Sequence, residues 1–323
     1  MTEVAPGIHR IEGGFAGRLL AQHVLLDERL ALVDTGAAPT PEELLFPALA
    51  DLARDPSDID YVVCTHPDTD HCGGNSAVRR AAPGCRFLGH CLDARWLEDP
   101  ATLIAERYDG LRADHGVHET DEALVWLVEQ SGEPVALDLR LCGGEGLLIG
   151  EDWAVTLLHT PGHSEGHLSV WDARSGTLII TDAALGAVVP DADGRPAEAP
   201  TYTHPEPYLA SIAALRALPF ERLLTTHFPI MDRDQGLAFL EESKQRADRL
   251  AAVPVDAAAR SDEPLTLIDL VDIADTRYGP LPADARASWA QPLSGHLREL
   301  EDSGLATRVQ RPGHATGWRI TPP

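Results

Sequence analysis

The sequence predicts an α/β fold followed by a small C-terminal unit, and three observations lead there. Short apolar runs bounded by turn residues alternate with longer stretches of helical periodicity. Polar residues able to bind metals follow several of those runs directly. Near residue 250 the periodicity gives way to an alanine-rich stretch punctuated by prolines, and a different pattern begins after it.

Taken in order, "GIHRIEG", "QHVLLD" and "LALVDTG" read as strands of a half-exposed sheet. "PEELLFPALADLA" is an amphipathic helix whose opening proline suits its first turn. "DIDYVVCTH" is a strand that runs into a loop with His66, Asp68, Asp70 and His71 ahead of the pair Gly73 and Gly74. A helix "NSAVRRAA" and a strand "CRFLGH" come next. Residues 92–142 read as a helical insertion, with Leu124, Leu127 and Val128 at helical spacing and acidic residues at the helix's start. Two roles fit it, a structural hairpin on the flank or a lid over the site. Strands return at "GLLIG", "WAVTLLHT", "HLSVWDA" and "GTLIITD". Helix "PEPYLASIAALRAL", strand "ERLLTTH" and helix "GLAFLEESKQRADRLA" complete a domain over residues 1–250. A linker is expected at 251–264. In the final unit, 265–323, Leu293, Leu297 and Leu300 mark a helix stopped by Gly304, ahead of two short strands around a Pro-Gly turn.

Composition narrows the function. The length of 323 residues suits one large domain and one small, and 44% hydrophobic residues suffice for a core. With 51 acidic against 26 basic residues, the net charge of −25 opposes phosphate backbones and lowers the expectation of a nucleic-acid partner. Five cysteines without a CxxC pair suit reduced thiols in a cytoplasm. The N-terminus lacks a basic region followed by an apolar run, and no stretch approaches the roughly 18 apolar residues that span a bilayer, so no membrane partner is expected.

The loop at His66–His71 poses the chemical question. Imidazoles and carboxylates crowded onto one turn suit a divalent ion, yet one loop cannot surround it. Further ligands must come from other strand ends. His163 in "LLHTPGHSEGH", Asp182 in "LIITDAALG" and His227 in "LLTTHFP" each follow an apolar run and supply them.

These residues resemble the metallo-β-lactamase superfamily of dinuclear metallohydrolases. The matches are "LVDTG", "THPDTDHCGG", "TPGHSEGH", the pair Thr181 and Asp182, and "TTHFP", in the family's order over Ile8 to Leu250. The resemblance implies an αββα sandwich of two mixed sheets with two metals at one edge. It assigns His66, Asp68 and His163 to a first ion, Asp70, His71 and His227 to a second, and Asp182 to a bridge. A hydroxide between the ions would be the nucleophile, with Asp70 orienting it or taking its proton, while Asp34 and His167 would support the ligands. Asp68 departs from the family's usual histidine. A carboxylate there favours harder ions, so zinc or manganese is expected and iron is an option. The first site's occupancy then becomes an open question.

Tyr202 and His204, between Asp182 and the next helix, are candidates for the substrate pocket. Cys64 and Cys72 flank the metal loop and read as small buried hydrophobes. A true β-lactamase is disfavoured, since the dizinc enzymes of this pattern carry cysteine where Asp182 stands and are secreted. The C-terminal unit resembles the winged-helix tail of a subgroup that includes endoribonucleases. From Ser261 onward it holds nine acidic and six basic residues, with Arg308, Arg311 and Arg319 near its wing. That balance favours packing or dimerisation over nucleic-acid reading. The leading expectation is a hydrolase of a small ester-like bond, thioester, lactone or related acyl group. The alternatives are a phosphodiesterase or endoribonuclease, a di-iron oxidoreductase, and a non-catalytic ligand-binding protein.

Overall fold

The computed structural model describes residues 1–310 and 313–321; Arg311 lies outside them, so the proposed wing cluster is described only at Arg308 and Arg319. Seven strands form the first sheet in sequence order: β1 (Thr2–Ala5), β2 (Ile8–Phe15), β3 (Arg18–Leu26), β4 (Leu30–Val33), β5 (Ile59–Val63), β6 (Arg86–His90) and β7 (Leu139–Leu141). The first four pair antiparallel; β4 to β7 run parallel, which places the ends of β4 and β5 side by side.

The second sheet takes β8 (Glu145–Gly150), β9 (Trp153–His159), β10 (Leu168–Asp172) and β11 (Thr177–Thr181). After a small hairpin, β12 (Val189–Pro190) and β13 (Pro196–Glu198), the chain returns as β14 (Arg222–Thr225) and β15 (Met231–Asp232). Strand β14 lies parallel to β11, so their ends also point the same way. Every residue of β11 is buried, as expected of a strand covered on both faces.

Three apolar layers hold the sandwich together. Between the sheets, Ile8, Val33 and Val63 meet Ile149, Val155, Ile179 and Leu224. On the outer face of the first sheet, Val62 and Phe87 pack with Leu45, Leu49 and Val78 of the flanking helices. On the outer face of the second, Leu178, Ile180 and Leu223 pack beneath Ile212 and Leu240, and the same cluster runs on into Leu270, Trp289 and Leu293 of the C-terminal unit. The order is helix, sheet, sheet, helix.

The C-terminal unit is not set apart by a free linker. The Arg233–Ala258 helix continues past Leu250 and through Pro254, because Val253, Pro254 and Ala257 face the core. The missing Pro254 N–H is outweighed by that burial. Beyond it come β16 (Leu265–Thr266), helices Leu267–Tyr278 and Ala290–Asp302, and β17 (Ala306–Val309) paired with β18 (Gly317–Ile320).

The insertion is helical, in short segments from Ala94 to His115 followed by the Asp121–Ser131 helix, whose Thr120 side chain accepts the Ala123 N–H at 3.1 Å. Leu124 and Leu127 are half-buried, whereas Val128 points to solvent at 58% exposure. The glycine pair after the metal loop has a steric cause. A Cβ on Gly73 would stand 2.1 Å from the Gln130 carbonyl oxygen at the end of that helix.

Candidate metal centre

The parallel strands deliver their C-terminal ends to one edge of the sandwich. Asp34 follows β4, the His66–His71 loop follows β5, Asp182 follows β11 and His227 follows β14; His163 sits in the turn between β9 and β10. Asp34 and Thr181 hold φ of 63° and 41°, a strained region for residues with a side chain, and such strain clusters at functional sites.

Each ligand imidazole is tied at Nδ1. His71 Nδ1 bonds the Asp34 carboxylate at 2.7 Å, His227 Nδ1 donates to the Leu19 carbonyl at 2.9 Å, and His163 Nδ1 donates to the Thr201 carbonyl. His66 Nδ1 lies 3.0 Å from Thr65 Oγ1, whose own hydrogen goes to Asp34 Oδ2 at 2.7 Å. A carbonyl can only accept, so in the neutral rings of His163 and His227 the proton sits on Nδ1 and the Nε2 lone pair faces inward. That is the arrangement of metal-ligating histidines, oriented by their other nitrogen. His66 Nε2, His71 Nε2 and Asp182 Oδ1 are buried without any hydrogen-bond partner, a costly state unless a cation joins them.

The predicted ligands do come together. Asp70, His71 and His227 form one cluster, with ligand atoms all within 4.8 Å of one another, and His66, Asp68 and His163 form another. Asp182 lies between: its Oδ2 is 3.4 Å from His227 Nε2, 3.5 Å from His71 Nε2 and 3.9 Å from His66 Nε2. Burial drives His66 toward its neutral form, well below the usual imidazole range, aided by His71 and His163. Burial acts the same way on His71, yet Asp182, Asp34 and Asp70 hold it well above that range. Burial opposes the charge of Asp182, but His227 and His71 keep it well below the carboxylate range. The second cluster is thus short of positive charge, which a divalent ion would supply, and its residues fit one.

The first cluster differs. Arg107, fully buried in the Ile104–Tyr108 segment of the insertion, grips both oxygens of Asp68, through Nε and through Nη2 at 2.9 Å. Burial works against ionised Asp68, but Arg107 holds it well below the carboxylate range. Nothing in the metal-loop motif announced this residue. The only sequence signal was the carboxylate of Asp68 in a histidine's place.

His167 joins Thr160 Oγ1 at 2.9 Å and Thr181 Oγ1 at 3.0 Å, and burial pushes the Cys72 thiol well up, leaving it inert. Tyr202 and His204 require a correction. The Tyr202 ring is buried, stacked on Tyr208, with its hydroxyl 2.9 Å from His296 Nε2; His204 lies beside Glu165. Neither lines the cavity, because the Pro205–Ala217 helix draws both away.

That cavity, about 470 Å³, opens over Asp70, Asp182 and His227. Its walls come from the β2–β3 turn, from Tyr108, Trp126 and Leu127 of the insertion, from Asp191 and Glu198 of the β12–β13 hairpin, and from Ala287, Ser288 and Gln291 of the C-terminal unit. Phe15 and Trp126 stack across it with ring centroids 5.0 Å apart. The C-terminal unit's share in the wall had no signal in sequence.

Imidazoles and carboxylates gathered from the loops at one edge of an αββα sandwich define a metal-dependent class of protein. The chain belongs to the metallo-β-lactamase superfamily, whose family model matches residues 23–227. It is 26% identical over 210 residues to a hydroxyacylglutathione hydrolase of Rhodospirillum rubrum, covering 64% of this chain and 62% of the relative, so it spans less than two thirds of that protein's length. A nitric oxide reductase of Moorella thermoacetica matches at 35% over only 66 residues, 20% of this chain and 16% of its own. Among solved structures, a metallo-β-lactamase family protein from Thermus thermophilus superposes with a TM-score of 0.75 at 22% identity, covering 98% of this chain and all of that one. A β-lactamase domain protein from Burkholderia ambifaria gives 0.73 at 19%, covering 99% and 93%. Both likenesses are of fold.

Proposed function

We propose that this chain is a metal-dependent hydrolase of a small ester-like substrate, a thioester, a lactone or a related acyl bond. The observation that carries the reading is the second cluster on the cavity floor, where the orphaned His71 Nε2 and Asp182 Oδ1 converge with Asp70 and His227. Asp70, His71, His227 and Asp182 would hold the ion, and their mix of nitrogen and carboxylate ligands suits zinc or manganese. When bound, the ion supplies a water activated near neutral pH and a Lewis acid for the acyl oxygen.

The chain's own groups do the rest. Asp70 borders both the cluster and the cavity, positioned to orient a water and hold its proton. Tyr108, Trp126 and Leu127 put apolar surface on the wall beside it, which strengthens each charge interaction inside. A cavity of about 470 Å³ suits a small ligand. The Rhodospirillum relative's name denotes cleavage of an acyl group from glutathione, which supports a thioester over a β-lactam. A phosphodiester reading has less support: Glu119, Asp191, Glu198 and Asp284 stand on the cavity wall, and Arg308 is paired with Glu301 at 2.8 Å. A reducing, cytoplasmic setting accords with five free cysteines.

The test is hydrolysis of thioester and lactone panels by zinc- and manganese-loaded protein, by the chelated protein and by Asp182→Ala. Activity is expected only in the loaded wild type. Equal turnover in the chelated protein or in Asp182→Ala would sink the assignment.

A further inference from the structure

We infer that Arg107 takes the place of the first metal ion, so that the chain binds one ion, in the Asp70, His71, His227 and Asp182 cluster, and keeps a guanidinium as its second cation. This rests on the metal-dependent reading above and sharpens it.

Two acceptors stand in contact in the first cluster. His163 Nδ1 donates to the Thr201 carbonyl, so in the neutral ring His163 Nε2 carries the lone pair. Asp68 Oδ2, one of the two carboxylate oxygens that take Arg107, lies 2.9 Å from it. Two lone pairs at that distance repel unless a positive group joins them. Arg107 Nη2 does so, donating to Asp68 Oδ2 at 2.9 Å and to His163 Nε2 at 3.0 Å. Arg107 Nε donates to the other Asp68 oxygen and Nη1 donates to the His163 carbonyl at 3.1 Å, so the planar fork is fixed on three sides. The Arg107 side chain is 1% exposed.

An ion in the first cluster needs the very atoms that Arg107 holds. Only His66 Nε2 of the three ligands is left without a partner, and one imidazole does not make a site. Displacing the guanidinium would leave a buried charge unpaired, which disfavours exchange. The exchange of histidine for Asp68 is explained by the same geometry. A neutral imidazole could not anchor a buried arginine, whereas a carboxylate matches its fork. Arg107 also borders the cavity beside Asp70 and Asp182.

The experiment counts metal per chain by plasma mass spectrometry. Full-length wild type, Arg107→Ala and Asp68→His are each dialysed against buffered zinc, with circular dichroism as the check on folding. One equivalent is expected in wild type and two in each folded variant, since Arg107→Ala vacates the cluster and Asp68→His removes the arginine's anchor. Two tightly held equivalents in wild type overturn the inference whether or not the variants fold, and they leave the hydrolase reading intact. One equivalent in both folded variants also overturns it, since Arg107 would then not be what excludes the ion. No zinc in any protein would overturn the metal reading itself, and this inference with it.

Discussion

Substituting asparagine for Asp34 tests how the site is built without touching a metal ligand. Asp34 is buried, and its carboxylate accepts the Thr65 N–H at 2.8 Å on Oδ1, and both the Thr65 hydroxyl and His71 Nδ1 at 2.7 Å on Oδ2. Asparagine is nearly isosteric and tolerates the residue's φ of 63°, so the backbone is not a confounder. It has one oxygen where two are needed. If the amide NH₂ faces His71, the imidazole must move its proton to Nε2 and lose the lone pair that would bind metal. If the NH₂ faces Thr65 N–H instead, two buried donors oppose each other. Either arrangement costs about 1–3 kcal/mol, and since roughly 1.4 kcal/mol is tenfold, metal affinity should fall about 10–100-fold. Competition against a fluorescent zinc chelator measures this, with thermal melts of the metal-free proteins as the control for folding. Folded Asp34→Asn that binds zinc within about twofold of wild type would refute the claim that Asp34 sets the His71 tautomer.

Two further outcomes follow from packing. Trp126→Ala removes half of the stack over the cavity and should raise KM about three- to tenfold with zinc content unchanged, measured by steady-state kinetics on whichever ester is accepted. Trp289 is fully buried in the cluster shared by the second sheet's helices and the C-terminal unit, so Trp289→Ala should cost about 3–5 kcal/mol. Urea unfolding should show one transition for the whole chain; two separated transitions would mean that the C-terminal unit has a core of its own.

What could be read from sequence was what repeats locally. Apolar runs such as "LIIT" and "LLTT" announce strands, and His163, Asp182 and His227 are legible because each follows one. Arg107 is not, because it meets Asp68 from 39 residues away, inside helical turns where an arginine is ordinary. The persistence of the helix through Pro254 was hidden for another reason. Proline argues locally for a break, and only burial of Val253 and Ala257 overrules it. The cavity wall built from Ala287 and Ser288 had no signal, since small residues acquire that role only from where the fold sets them.

The cavity's construction divides the labour of the molecule. The groups that would bind an ion stand at strand ends locked into two sheets, while the walls belong to a turn, an insertion, the β12–β13 hairpin and a C-terminal tail that contribute none of the second cluster's ligands. Mutational drift in those segments can therefore reshape what enters while the chemistry beneath stays constant. A lineage carrying this scaffold could change its substrate by editing its periphery, with Arg107 as a point where the periphery reaches into the reactive centre.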